Sequence, residues 1–197
     1  MLSRGETEGV FQLESSGMKQ VLVGLQPQNL EDVIALISLY RPGPMDSIPT
    51  YLRNRHEPDK ISYKTPQLAH ILDVTNGCIV YQEQVMQIFR ELAGFSFGQA
   101  DNVRRAMSKK KHAVMEAERE HFVHGCTEPG HECPGCVANG IPEQVANQIY
   151  DEMSSFASYA FKQEPCCLLR LCGFPDRLPQ VPLPQPVHGS IADQRAG

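Results

Sequence analysis

The chain has 197 residues and a formal net charge of −5 at pH 7, and 41% of its residues are hydrophobic. This apolar fraction allows a packed core of about one domain and excludes disorder throughout the chain. No run approaches the roughly 18 apolar residues of a membrane-spanning helix, and the N-terminal MLSRGETEGV lacks the apolar centre of a secretion signal. We therefore expect a cytoplasmic protein with no membrane partner.

The first part of the chain is predicted to form helices separated by proline and glycine. One helix is expected in SSGMKQVLVGL, where Ser15 or Ser16 caps the N-terminus. A second is expected in NLEDVIALISLY, with Asn29 as its cap and apolar residues at helical spacing. The sequence RPGP at 41–44 must end this helix, because two prolines and a glycine cannot continue it. Helical structure is predicted to resume in SIPTYLRNRH.

Further helices are predicted up to Phe161. The segment 79–94 is strongly amphipathic, and Gly94 is expected to end it. Two helices, in GQADNVRRAMSKK and AVMEAEREHFVHG, are joined at a run of lysines. The segment PEQVANQIYDEMSSFASYAF begins with Pro142 in its first turn, where proline is favoured. The predicted fold class is therefore mostly α.

A basic stretch, NVRRAMSKKK at 102–111, contrasts with the acidic chain around it. Arginine presents a bidentate fork to phosphate, and lysine supplies a mobile point charge. Cations near a helix C-terminus also interact favourably with the helix dipole. The stretch is therefore either a solvated basic helix end or a phosphate-binding site. Its cations are Arg104, Arg105, Lys109, Lys110 and Lys111.

Several motifs occur in one order along residues 5–161. They are TEGVFQLESSGM, EDVIALISLYRPGPM, YLRNRH, ISYKTPQLAHILDVTNGCIVYQEQVM, LAGFSFGQADNVRRAMSKKK and IYDEMSSFASYAF. Together they closely resemble the catalytic alpha subunit of bacterial DNA polymerase III, a C-family replicative DNA polymerase. The resemblance assigns residues 1–161 to part of the fingers region, which is largely helical and contacts the incoming nucleotide and the template.

The resemblance also implies a parent reaction, which is template-directed DNA synthesis with Mg²⁺ in a DNA-directed DNA polymerase. The family's palm lies upstream of GVFQLES, and its aspartates hold the two metal ions. No segment here resembles the palm motifs, so no catalytic residue is assigned and the fragment is expected to be inactive. Met1 is interpreted as an internal start. The implied partners are template-primer DNA, deoxynucleoside triphosphates, the sliding clamp and other replicase subunits.

Within this family the basic stretch favours phosphate contact by at least two of its five cations. Ser108 stands where the family often has glycine, a difference that bears on where the lysines point. Arg41, held at the stiff RPGP turn, contacts phosphate or forms a structural ion pair. Secondary, template-side candidates are Gln12, Ser15, Gln82 and Gln84.

The sequence HGCTEPGHECPGCVANG suggests a second kind of site. Structural zinc is bound by four thiolate or imidazole ligands, often with C-x-x-C as one half of the site. The ligands would be Cys126, His131, Cys133 and Cys136. The half formed by Cys126 and the histidine lies only a few residues from the C-x-x-C, which leaves little chain to reach tetrahedral geometry. The alternative is a cysteine-bearing surface loop, because cysteines of a cytoplasmic protein are commonly free thiols.

The chain changes character after Phe161. Residues 165–197 contain six prolines and no sustained hydrophobic period, which is typical of a disordered tail. The family continues NKSHAA after FASYAF, whereas this chain continues KQEPCC. The codons AAA CAA GAG CCA TGC TGC encode Asn-Lys-Ser-His-Ala-Ala when they are read one base later. We therefore interpret residues 162–197 as a frameshifted tail that follows a single inserted base.

Two other functions are compatible with the same residues. One is a stand-alone nucleic-acid-binding module without catalysis, which would bind DNA with a steep dependence on salt. The other is a zinc-bearing regulatory protein, which would retain one equivalent of zinc.

Overall fold

The computed structural model describes residues 1–109 and 112–157, which are helical and contain no β-strand. Their helices are α1 (Ser16–Leu25), α2 (Leu30–Leu39), α3 (Ile48–His56), α4 (Ala69–Leu72), α5 (Gln82–Ala93), α6 (Phe97–Ser108), α7 (His112–His124), α8 (Gly135–Ala138) and α9 (Glu143–Ala157). The mostly α fold class is confirmed. The tail predicted for 162–197 lies outside the described residues.

Local capping explains where the helices begin and end. Ser15 Oγ accepts a hydrogen bond from Met18 N at 3.2 Å, so Ser15 is the cap of α1. Asn29 Oδ1 accepts from Asp32 N at 2.8 Å and caps α2, as predicted. Gly94, with φ 75°, ends α5 in the left-handed conformation that glycine adopts without strain.

The apolar side chains form two cores. The N-terminal core includes Leu13, Leu22, Leu25, Leu36, Leu39 and Tyr51, from α1 to α3 and the turn before them. The C-terminal core includes Phe89, Leu92, Met107, Phe122, Tyr150 and Met153, from α5, α6, α7 and α9. No helix among the described residues is long and apolar enough to cross a bilayer.

The segment before α5 connects the two cores. Cys78 and Val80 pack into the N-terminal core, whereas Ile79 between them packs into the C-terminal core. Such alternation is typical of a non-helical chain that is buried on both sides. The predicted helix start at Ile79 is therefore wrong, and α5 begins at Gln82.

An ion pair joins α2 to α3 at the edge of the N-terminal core. Arg55 Nε and Nη2 donate to the two carboxylate oxygens of Asp32, each at 3.1 Å. Asp32 also accepts from Gln28 N at 2.9 Å. The hydrogen bonds to Asp32 raise the pKa of Arg55. Because Asp32 is buried, removing Arg55 would leave a buried carboxylate without its cation.

Candidate phosphate-binding site between two helices

A cleft of about 530 Å³ lies between α5 and α6. It is lined by Gln82, Glu83, Met86, Gln87, Arg90 and Glu91 from α5, and by Phe97, Asp101, Arg104 and Arg105 from α6. The two arginines of the basic stretch therefore face the helix that carries the YQEQVM motif. The sequence placed these motifs in order, and the fold brings them together.

Arg104 braces the two helices. Its Nε and Nη2 donate to Asp101 Oδ1 at 3.0 Å and 2.6 Å, and its Nη1 donates to Gln82 Oε1 at 2.8 Å. The side chain is 14% exposed. Three hydrogen bonds to fixed partners hold the guanidinium in one orientation at the wall of the cleft.

Arg105 has a different environment. Its Nη2 lies 2.8 Å from Asp101 Oδ2, and the side chain is 64% exposed. The two oxygens of Asp101 therefore each contact one arginine. The hydrogen bond from Arg104, followed by the nearby positive charges, holds the pKa of Asp101 below its usual range. Asp101 therefore holds both arginines through its two carboxylate oxygens.

The lysine run begins where α6 ends. Lys109 is exposed, and its backbone N donates to Arg105 O at 3.1 Å. Ser108 Oγ donates to Arg104 O at 3.0 Å, so this serine bonds back to its own helix. Lys110 and Lys111 lie outside the described residues.

The structure adds two residues that sequence reasoning missed. Phe97 is 64% exposed at the start of α6, although it is a large apolar side chain. The guanidinium carbon of Arg90, on α5, lies 5.9 Å from the centroid of the Phe97 ring. This contact joins two elements, and no spacing within either motif indicates it.

Arg41 occupies a different part of the fold. It is half-buried between α2 and the 3-10 turn Pro44–Ser47, and burial lowers its pKa. Met45 N donates to Arg41 O at 3.1 Å, which closes the RPGP turn around Gly43 at φ 102°. Arg41 is not among the residues that line the cleft.

The glutamine and serine candidates separate into different roles. Gln82 lines the cleft, whereas Gln84 is 5% exposed and bonds through both ends of its amide. The polar atoms of Gln84 are buried and already have partners, so the structure gives no support to a template contact by this residue. Ser15 is the cap of α1, and Gln12 is exposed in a left-handed turn at φ 68°.

The four zinc candidates do not form a metal-binding group in the part of the chain that the structure describes. Cys126 and Cys133 oppose each other in a short antiparallel bridge, and His131 is exposed in the loop between them. Cys136 is fully buried, and burial raises its pKa to about 12. Because zinc binds the thiolate, this arrangement does not support the zinc interpretation.

Comparison with known proteins agrees with the arrangement of the motifs. Residues 1–130 match the family described as the bacterial DNA polymerase III alpha subunit finger domain. The chain is 50% identical over 161 residues to proteins named DNA polymerase III subunit alpha from Staphylococcus epidermidis and Staphylococcus aureus. These matches cover 82% of this chain and 14% of each relative. The chain therefore belongs to the family of bacterial DNA polymerase III alpha subunit finger domains.

Proposed function

We propose that the basic end of α6 contacts the phosphates of DNA or of an incoming deoxynucleoside triphosphate, as part of a polymerase fingers region. The observation that carries this proposal is the exposure of two cations, Arg105, which lines the cleft between α5 and α6, and Lys109, which follows the last residue of α6. Exposed cations at the rim of a cleft attract phosphate without reading sequence. In the parent enzyme this contact serves template-directed DNA synthesis.

The two arginines contribute differently to phosphate binding. Arg104 is held by hydrogen bonds to Asp101 and Gln82. It therefore contributes a positive charge at a fixed place in the wall of the cleft. The Arg105 side chain is 64% exposed and that of Asp101 is 21% exposed, and ion pairs at the surface contribute only about 0–1 kcal/mol. A phosphate therefore displaces that carboxylate at little cost. Lys110 and Lys111 continue the same stretch and remain proposed contacts, as does Arg41.

Phe97 and Arg90 extend the proposed phosphate-binding surface with a place where a nucleobase could stack. An exposed aromatic ring accepts a nucleobase by stacking, which contributes about 1–3 kcal/mol per base and tolerates any sequence. Arg90 lies against the same ring and supplies a further cation. A single strand that crosses this rim would place its phosphates toward Arg105 and one base on Phe97.

Arg105→Ala is expected to weaken the binding of a fluorescein-labelled single-stranded oligodeoxythymidine about five- to tenfold at low salt, because a charge-assisted hydrogen bond to phosphate is lost. The slope of log K against log salt should decrease in magnitude by about 0.7 for the lost single-strand phosphate contact. Fluorescence anisotropy of the 197-residue chain at several salt concentrations measures both quantities.

Arg4→Ala is the matched control for this variant. Arg4 is 72% exposed and pairs with Glu6 at 2.9 Å, so it resembles Arg105 in exposure and in having a carboxylate partner. Arg4 belongs to the N-terminal turn and does not line the cleft. If both variants lose affinity equally, the binding reflects general charge and the proposed site is wrong.

We expect no primer extension from this chain with template-primer DNA, deoxynucleoside triphosphates and Mg²⁺. The family holds its metal ions on palm aspartates, and no segment of this chain resembles the palm motifs. Its described residues include no group of three or more His, Cys, Asp or Glu that fits a metal ion. Denaturing gel electrophoresis of the labelled primer measures extension, with a complete polymerase as the positive control. Extension that Lys109→Ala abolishes would overturn this expectation.

A nucleic-acid-binding module without catalysis is the second candidate function, and the same rim favours it. A competition experiment distinguishes this module from a nucleotide site of a polymerase. Inorganic triphosphate should displace the oligonucleotide from a site that binds an incoming nucleotide. Both functions predict weaker DNA binding in Phe97→Ala, so the response to triphosphate separates them. A module that only binds a strand should keep its oligonucleotide in the presence of triphosphate. Clamp and replicase partners belong to the parent enzyme in either case.

We also propose that the fingers segment ends near Phe161 and that residues 162–197 are read in a shifted frame. The support is the one-base reading that turns KQEPCC into NKSHAA. Sequencing the source DNA across codons 155–170 tests this. We expect either DNA without the extra base, which encodes NKSHAA in frame, or DNA with it, whose KQEPCC codons read NKSHAA one base later. Codons for KQEPCC that do not give NKSHAA in the shifted frame would contradict the proposal.

A further inference from the structure

We propose that Cys126 and Cys133 are a paired thiol site that a low-molecular-weight disulfide oxidises to an intramolecular disulfide, which closes the loop between α7 and α8. The phosphate site does not use this loop, and the proposal does not depend on phosphate binding. Both cysteines are free thiols in the structure.

The backbone already holds the two cysteines opposite each other. Cys126 N donates to Cys133 O and Cys133 N donates to Cys126 O, each at 2.9 Å. Residues that exchange both hydrogen bonds in an antiparallel pair have Cα atoms about 5.5 Å apart. Disulfides span Cα separations of about 4.4–6.8 Å, so the pair lies within the allowed range. Directly opposed side chains also lie on the same face.

Two glycines beside the cysteines allow this close crossing. A Cβ on Gly125 would lie 2.5 Å from Pro134 O, and a Cβ on Gly135 would lie 2.3 Å from Gly125 N. Both glycines have positive φ, at 88° and 78°. No other residue type fits either position, so the crossing holds the cysteines in register.

The two thiols differ in access. Cys126 is half-buried and its Sγ accepts from Glu128 N at 3.4 Å, whereas Cys133 is buried and its Sγ contacts His121 O at 3.6 Å. Burial raises the pKa of Cys133. Cys126 is therefore the thiol that an external reagent meets first, and Cys133 is the resolving thiol.

The reaction is thiol–disulfide exchange in two balanced steps. The Cys126 thiolate attacks one sulfur of oxidised glutathione, the reagent's S–S bond breaks, and one glutathione thiolate leaves and takes up a proton. The Cys133 thiol then loses its proton and attacks Cys126 Sγ, which expels the second glutathione. The cysteine pair loses two electrons and two protons, and the reagent gains them as two thiols.

Cys136 is the next cysteine along the chain and the alternative disulfide partner for Cys133. It forms the C-x-x-C spacing with Cys133, which sequence alone would favour for a redox pair. It lies fully buried in α8, and burial raises its pKa to about 12, which disfavours its thiolate. The geometry therefore favours the bond between residues 126 and 133 over the C-x-x-C bond.

The test is peptide mapping of the reduced 197-residue chain after equilibration in glutathione redox buffers. Free thiols are trapped with N-ethylmaleimide, and disulfides are assigned by mass spectrometry after proteolysis. The expected main product links Cys126 to Cys133, with a mass loss of about 2 Da for the two hydrogens removed. In Cys133→Ser, Cys126 should instead accumulate as the glutathione mixed disulfide.

Two controls make the result decisive. Cys78→Ser should leave the main product unchanged, because Cys78 is buried in the N-terminal core. Oxidation in concentrated urea should give a mixture of pairings, since the bridge no longer aligns the cysteines. The proposal is overturned if the folded chain yields chiefly a bond between Cys133 and Cys136, a bond to another cysteine, or the same mixture as in urea.

Discussion

Phe89→Ala is expected to lower the free energy of unfolding by about 3–5 kcal/mol, because it leaves a large cavity in a packed core. Phe89 is fully buried on α5. Its ring lies 5.0 Å from that of Phe122 on α7, 5.3 Å from that of Phe95 and 6.0 Å from that of Tyr150 on α9. Such edge and tilted contacts add stability beyond the area that they bury.

Phe97→Ala is the matched control, since it makes the same chemical change at an exposed site. We expect a loss of less than about 1 kcal/mol, which is the range for surface substitutions and an exposed cation–π contact. Urea denaturation followed by far-ultraviolet circular dichroism measures both variants, with the slope m unchanged. Equal losses in the two variants would show that the C-terminal core is not packed as described.

Gln84→Leu is expected to lower the free energy of unfolding by about 3 kcal/mol, because several buried polar groups lose their partners. Gln84 Oε1 accepts from Val80 N at 2.9 Å and from Tyr81 N at 3.0 Å. Its Nε2 donates to Ile71 O at 3.1 Å and to Thr75 Oγ1 at 2.7 Å. Leucine has a similar size but satisfies none of these groups.

Gln87→Leu, one turn later on α5, is the control for this variant. Gln87 Nε2 donates to Glu91 Oε1 at 2.7 Å, an exposed contact on the same helix, so the substitution should change stability by less than about 0.5 kcal/mol. Native-state hydrogen exchange adds a local measurement, because the amides of Val80 and Tyr81 should lose protection in Gln84→Leu. Unchanged protection would contradict the hydrogen bonds from these two amides to Gln84 Oε1.

Much of the helical pattern is readable from local chemistry. Asn29 as a cap and Gly94 as a stop both follow from interactions within one or two turns, which the sequence contains. The predicted start of α5 was three residues too early, because long-range packing and not local chemistry decides it. Ile79 and Val80 fit a helical period, but they pack into two different cores, and the packing of distant residues decides their conformation.

The candidate site shows the same division. The sequence identified Arg104 and Arg105 as cations in a basic stretch, and it treated them alike. The fold separates them, because Gln82 on α5 and Asp101 hold Arg104 while Arg105 stays exposed. The burial of Gln84 has the same origin. Its neighbours in sequence do not indicate that Ile71 and Thr75 lie against it.

The sequence by itself determined the family, the mostly helical class and the place of the basic stretch, because ordered motifs, caps and helical periodicity are local in the chain. It also indicated that residues 162–197 differ in character from the rest. Tertiary structure decided which polar side chains face the cleft between α5 and α6, and it placed Cys133 against Cys126. The cleft depends on contacts between residues far apart in sequence, such as Gln82 and Arg104, which form only when the helices pack together. The cysteine pair depends on the close backbone crossing at Gly125 and Gly135, which no sequence period indicates.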